Sequence, residues 1–177
     1  MTPCKEIIRI GGLKDGGWEI CHDIKYRPNN PCLVYSVGMA SGNFKHQDKV
    51  WFYNIGVWNK PDFYQQERKW NMSTISNIKM DLNHTSMNID ILKIDIEWDE
   101  WTVVPDIISS GVLNDVTQLL IEFHSPTTLE RLKILRELYN VGFRIFWYHR
   151  NTYCRRNLVY LEYSSCIEVS LVNNKLK

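Results

Sequence analysis

Four side chains in two short stretches are of types suited to proton transfer. Asp95 and Glu97 fall in Ile89–Trp101 (Ile-Asp-Ile-Leu-Lys-Ile-Asp-Ile-Glu-Trp-Asp-Glu-Trp), and Glu122 and His124 close the run Val-Thr-Gln-Leu-Leu-Ile-Glu-Phe-His. A carboxylate takes up a proton or holds a cation, and an imidazole titrates near neutrality, so an acid pair beside an acid–histidine pair is a candidate acid–base site. The members of each pair are two residues apart, which puts them on one face of an extended strand. If the two strands are neighbours, all four groups meet at their carboxyl ends, where open α/β sheets bind ligands. The plainer reading is an amphipathic strand whose charged face meets water and a histidine that is satisfied structurally. Such a cluster would also suit a metal ion, but the spacing is loose and the sequence has no CxxC or Cys/His pattern, so no metal ligand is assigned.

The elements that must position these groups follow from periodicity. In the central stretch Leu92, Ile94 and Ile96 alternate with Lys93, Asp95 and Glu97, which predicts a strand with one apolar face. Pro31 introduces Cys32–Gly38, a short buried strand, and Val50–Val57 is the next. Ser73–Leu82 reads as a helix with Ile75, Ile78 and Leu82 on one face. After the central strand Trp101, Val104, Ile107 and Ile108 recur at helical spacing, with Asp99 as a cap, Gly111 as a stop and Pro105 confined to the first turn or kinking the helix. Val116–Phe123 is a strand. Thr127 or Thr128 opens the clearest helix, whose stripe is Leu129, Leu132, Leu135, Leu138 and Tyr139, ended by Gly142. Phe143–His149 and Leu158–Val172 are strands joined by a polar turn and therefore antiparallel. The order predicts an α/β fold, a mostly parallel sheet closed by a C-terminal antiparallel hairpin.

Residues 1–30, with the turn Lys14-Asp15-Gly16-Gly17, read as an arm or lid leading into a single domain over residues 31–177; Asp15, Gly16, Gly17 and Trp18 either cover a ligand or pack the arm down. The 177 residues are 44% hydrophobic and 23% charged, as in a folded globular domain. Twenty-one Lys and Arg against twenty Asp and Glu leave +1, so no global field draws nucleic acid. No apolar run reaches the ~20 residues of a membrane helix, and the start lacks a signal-like core. The expectation is a soluble chain, with the secretory pathway open if an upstream signal is missing. Two sequons, Asn71-Met72-Ser73 and Asn83-His84-Thr85, would matter only in that pathway. The five cysteines read as structural thiols, with a bridge among Cys4, Cys21 and Cys32 open in an oxidising compartment.

Four stretches together resemble a known family. They are Asp15–Cys21 (Asp-Gly-Gly-Trp-Glu-Ile-Cys), Pro31–Gly38 (Pro-Cys-Leu-Val-Tyr-Ser-Val-Gly), Phe52–Gly56 (Phe-Tyr-Asn-Ile-Gly) and Leu92–Trp101. In this order they are similar to the methyltransferase-like protein 24 family, and Lys-Ile-Asp-Ile-Glu with Glu122-Phe123-His124 is also similar to the FkbM methyltransferases. The resemblance implies a Rossmann-like class I fold that binds S-adenosylmethionine and moves its methyl group to an oxygen or nitrogen of a small-molecule or glycan acceptor. It implies that Ser36 and Gly38 form the cofactor loop, that Asn54 and Gly56 lie near the adenosine, and that Asp95 and Glu97 face the methionine end and the acceptor. Asp95, Glu97 or His124 would then be the base, or Asp95 or Glu97 would instead hold the amino group of the donor.

The chain departs from that pattern after the glycine loop. Gly42-Asn43-Phe44 runs almost directly into Lys45–Lys49, so one strand-helix unit, with the acid that grips the ribose, is missing. Either cofactor binding is impaired, or the strand at Val50 moves into the vacant place in the sheet. Two other readings are a non-catalytic binding module on the same scaffold and a sugar-modifying or metal-dependent hydrolase built on Asp95, Glu97 and His124.

Overall fold

A computed structural model describes residues 3–13, 17–38, 44–47, 49–53, 55–60, 63–65, 70–152, 154–158 and 161–176. In chain order the strands and helices are β1 (Ile7–Ile10), β2 (Trp18–Cys21), β3 (Val34–Val37), β4 (Phe44–Gln47), β5 (Val50–Phe52), β6 (Ile55–Val57), β7 (Phe63–Gln65), β8 (Trp70–Ser73), α1 (Ile75–Asp81), β9 (Ile89–Ile94), α2 (Glu100–Ser109), β10 (Val116–His124), α3 (Leu129–Val141), β11 (Phe143–Arg150), β12 (Arg155–Leu158), β13 (Leu161–Ser164) and β14 (Cys166–Asn173). Five of them form the central sheet in the order β11-β14-β10-β9-β3. Strands β3, β9 and β10 are parallel, while β14 runs antiparallel to both β10 and β11. The fold is thus mixed α/β, with a central sheet and three α-helices among the described residues.

Alternation along β9 and β10 gives the sheet two apolar faces. Leu92, Ile94, Leu119, Ile121 and Phe123 join Val103, Val104 and Ile107 of α2 and Leu138 of α3 in the main core. Each such side chain contributes about 1.5–3 kcal/mol on burial. On the other face Ile91 and Leu120 are covered by Trp18 and Ile20 of β2, so Trp18 packs the N-terminal segment down. Gln118, fully buried in β10, ties this cover to the sheet. Its Oε1 accepts from the Cys21 amide at 2.8 Å, and its Nε2 donates to the carbonyls of Cys21 and Tyr26, each at 2.9 Å. A Cys4–Cys21 disulfide closes the same segment, a second joins Cys154 to Cys166, and Cys32 is a free, exposed thiol.

Several expectations need correction. Val50–Val57 is two strands: β5 folds back on β4 through Lys49, whose φ is +66°, while β6 pairs with β8 in a separate sheet of order β6-β8-β7. Neither joins the central sheet, so the vacant place beyond β3 is not filled by the Val50 strand. Leu158–Val172 is not one strand either. A β12–β13 hairpin comes first, then Ser165, whose amide donates to the Cys154 carbonyl, and only β14 pairs with β11 and β10. The α3 stripe is buried mainly toward its C-terminal end: Leu138 is fully buried and Leu135 partly, but Leu129, Leu132 and Tyr139 are exposed. Tyr139 instead lies under the Arg144 guanidinium, 3.5 Å from its ring centroid. Pro105 is inside α2, past its first turn.

Candidate active site

The register of β9 and β10 brings the two predicted pairs to one end of the sheet. Ile94 lies opposite Ile121, so Asp95 and Glu122 follow at the same level, with His124 beyond. Strand alternation does not carry Glu97 there, as the sequence had implied. The ladder of β9 ends at Ile94, and the chain then turns through Glu97 (φ +54°) and Trp98 (φ +80°), two consecutive L-residues in the left-handed region. That conformation costs roughly 1 kcal/mol or more per residue and clusters at functional sites. Its result is to fold Glu97 back toward His124.

His124 is the hub. It is 4% exposed, its Nδ1 is 3.0 Å from Oε1 of Glu100, and its Nε2 is 3.4 Å from Oε2 of Glu97. The Trp98 ring stands 5.6 Å away, and the indole N–H of Trp101 donates to the His124 carbonyl at 2.7 Å. Burial pulls the His124 pKa down, but the hydrogen bond and charge of Glu100, with the charges of Glu122 and Glu97, outweigh it and leave the pKa above its ordinary 6.5. Glu122 is held by the Asn151 side-chain amide at 2.9 Å. Burial is the main reason its pKa is also raised; the nearby charges of Asp95 and Glu97 add to this, while the Asn151 hydrogen bond and His124 oppose it. Asp95 is anchored on both sides: its amide donates to the Val37 carbonyl at 3.0 Å, and its carboxylate accepts from Lys93 Nζ at 3.0 Å.

Glu100 was not singled out as a site residue from the sequence. It is fully buried at the first position of α2, where a negative charge suits the helix dipole, and its Oε1 also accepts from the Ile96 amide at 3.2 Å. Its Oε2 has no hydrogen-bond partner among the described residues. The available signal was a further acid following Asp95 and Glu97 closely at a strand-to-helix turn. Asp99, expected as the cap, sits at the N-cap without a side-chain cap bond.

The predicted cofactor residues are less closely grouped. Ser36 and Gly38 are exposed at the end of β3, the edge of the central sheet, and a Cβ on Gly38 would meet the Asp95 carbonyl oxygen at 3.4 Å. Gly56 lies in β6, opposite Met72, outside that sheet. Asn54, and Asp15 and Gly16 of the arm, lie outside the described residues. The side chains of Glu122, His124, Cys154 and Cys166 present a possible set of metal ligands, all within 4.8 Å of one another. With Cys154 and Cys166 joined in a disulfide, only the carboxylate and the imidazole of that set remain as donors.

The fold is a mixed α/β sheet with acid and imidazole groups gathered at its parallel strand ends, the end at which open α/β sheets commonly bind ligands. Sequence comparison makes this specific: a family model described as a methyltransferase domain matches residues 45–173, and the chain belongs to that family. Among curated proteins it is 25% identical over 171 residues to the human probable methyltransferase-like protein 24, covering 84% of this chain and 46% of that protein. The rat protein of the same name is 24% identical over 169 residues, covering 83% and 46%. This bears out the resemblance to the methyltransferase-like protein 24 family read from the motifs. The chain spans about half the length of these relatives, and no solved structure matches it. No helix among the described residues is long and apolar enough to cross a membrane.

Proposed function

We propose that this domain is an S-adenosylmethionine-dependent methyltransferase that moves a methyl group to a hydroxyl or amine, with His124 as the base and Glu100 as the group that holds it. The supporting observation is the Glu100–His124–Glu97 arrangement at the strand ends of a chain from a methyltransferase family. The strand order β11-β14-β10-β9-β3, with β14 inserted antiparallel, supports reading the sheet as a Rossmann-like class I scaffold that stops at β3.

The residues present fit a cationic donor. Asp95, Glu97 and Glu122 are carboxylates of the type that pairs with a sulfonium or an ammonium, although Lys93, His124 and Asn151 already face them, and the glycine at position 38 leaves the strand edge without a side chain beside the Asp95 backbone. Ser36, Gly38 and Asp95 would hold the donor, with Asn54 and Gly56 toward the adenosine. The donor supplies an activated methyl group, so the protein has to orient the acceptor and take its proton. Neutral His124 accepts that proton at Nε2, while Glu100 fixes the ring through Nδ1 and stabilises the imidazolium. Because the His124 pKa is raised, the imidazole is free to act only on the alkaline side of its ordinary range. A glycan hydroxyl as acceptor rests on the FkbM likeness alone.

Transfer of labelled methyl from S-adenosylmethionine to a panel of glycan and small hydroxyl acceptors tests the assignment. The rate should rise with pH through the titration of His124 and fall about 100-fold or more in His124→Gln. Equal transfer by the variant removes His124 as the base.

A second reading, a non-catalytic binding module, is favoured by one observation: β4–β5 and β6–β8–β7 form sheets separate from the central one, whose edge is β3, so neither extends it beyond β3. On that reading the protein binds neither the donor nor its demethylated product.

A further inference from the structure

We propose that Asn83 carries an N-linked glycan and that the domain folds in the oxidising lumen of the secretory pathway. Three independent features meet here. The sequon Asn83-His84-Thr85 has no proline at its middle position. Asn83 and Thr85 are both exposed, at a turn that follows α1, where Asn83 takes φ +57° and its amide closes onto the Met80 carbonyl at 2.9 Å. The glycan would therefore leave the tip of a tight surface turn without displacing a packed group. The third feature lies elsewhere in the chain: four of the five cysteines are joined as Cys4–Cys21 and Cys154–Cys166, and such bridges persist in the compartment where sequons are read.

The second sequon is less well placed. Asn71 is exposed too, but it lies in β8, the middle strand of its sheet, flanked by Ile55 and Tyr64. Asn83 stands clear of any ladder. It is also remote from the acid–histidine cluster: residues 82–88 lead into the amino end of β9, whereas Asp95 follows its carboxyl end. Six residues of strand separate them by about 20 Å. A sugar there would shield the edge of the fold and leave the candidate site open.

The chemistry needs one co-reactant, an oligosaccharide carried on a lipid pyrophosphate. The side-chain amide nitrogen of Asn83 bonds to the anomeric carbon of the first N-acetylglucosamine. The bond from that carbon to the lipid pyrophosphate breaks, the pyrophosphate leaves with the electron pair, and one amide proton is released.

The test is expression of the complete reading frame in animal cells, followed by N-glycosidase treatment in heavy-oxygen water and peptide mass spectrometry. The expected result is a labelled aspartate at position 83 and, on a denaturing gel, the loss of the same single mobility step in N83Q and in T85A, which keeps the asparagine. Reading the gel under denaturing conditions makes the outcome independent of whether either variant folds. An unmodified Asn83 peptide overturns the proposal, as does a protein whose sugar is confined to Asn71. Cysteines recovered fully reduced at positions 4, 21, 154 and 166 overturn the compartment on which it depends.

Discussion

Glu100, with no solvent exposure, holds Nδ1 of His124 at 3.0 Å and so leaves Nε2 as the edge of the ring that faces Glu97. A buried carboxylate in this position fixes the tautomer and favours the charged ring. Glu100→Gln keeps the shape and a hydrogen-bonding group but removes the charge. The His124 midpoint, followed by NMR of the ring protons, should fall relative to the wild type. An unchanged or higher midpoint would mean that Glu100 does not set the charge of His124.

Stability should decrease as pH rises. His124 has a folded-state pKa above the 6.5 of the unfolded chain, so it favours the fold fully below that value and the contribution is lost as pH rises through the folded pKa. Glu122 acts in the same direction from a lower start, because its folded pKa lies above 4.5 and the unfolded chain ionises first. The groups facing His124 are Glu97 and Glu100 beyond β9 and Glu122 on its own strand, with the bridged Cys166 opposite it on β14. Urea unfolding from pH 6 to about pH 9 should show a falling free energy, and the fall should be shallower in His124→Gln. A slope that survives the substitution assigns it to other groups.

Gln118 should be a larger contributor to stability than its polarity suggests. It makes three hydrogen bonds from a fully buried position to backbone groups of Cys21 and Tyr26. Gln118→Leu would leave those groups buried and unsatisfied, at a cost of about 3 kcal/mol in denaturant unfolding. A change of only a few tenths of a kcal/mol would show that the N-terminal cover is held by its apolar contacts and the Cys4–Cys21 bridge instead.

The turn at Glu97-Trp98 can be tested by a pair of variants that differ in one carbon. Trp98→Gly and Trp98→Ala both lose the ring beside His124, but only alanine keeps a Cβ at φ +80°. The glycine variant should be the more stable of the two by about 1 kcal/mol. Equal stabilities would mean that the turn relaxes once the indole is gone.

Much of this was legible in the sequence because the signals were local. Alternation in Leu92–Ile94 and in β10, with helical spacing around Val104 and Ile107, placed the elements that bring Asp95, Glu122 and His124 to one end of the sheet. What periodicity does not carry was missed. The left-handed turn at Glu97 and Trp98 has no glycine to announce it, and the importance of Glu100 depends on a contact with a residue 24 positions away. The Cys154–Cys166 bridge was hidden for the same reason, since the pairing is fixed by the β12–β13 hairpin and not by a spacing motif. The α3 stripe failed in the opposite way: its pattern was clear, but tertiary packing buries only part of it.

The most direct measurement is a calorimetric titration of the folded protein with S-adenosylmethionine and with its demethylated product, repeated with Asp95→Ala. The acid–histidine cluster at the strand ends, with the Asp95 backbone next to Gly38, predicts saturable binding of one ligand per chain by the wild type and clearly weaker binding by the variant. A folded wild-type protein that takes up neither compound, or a variant that binds as tightly as the wild type, would contradict the assignment of these strand ends as a methyl-donor site.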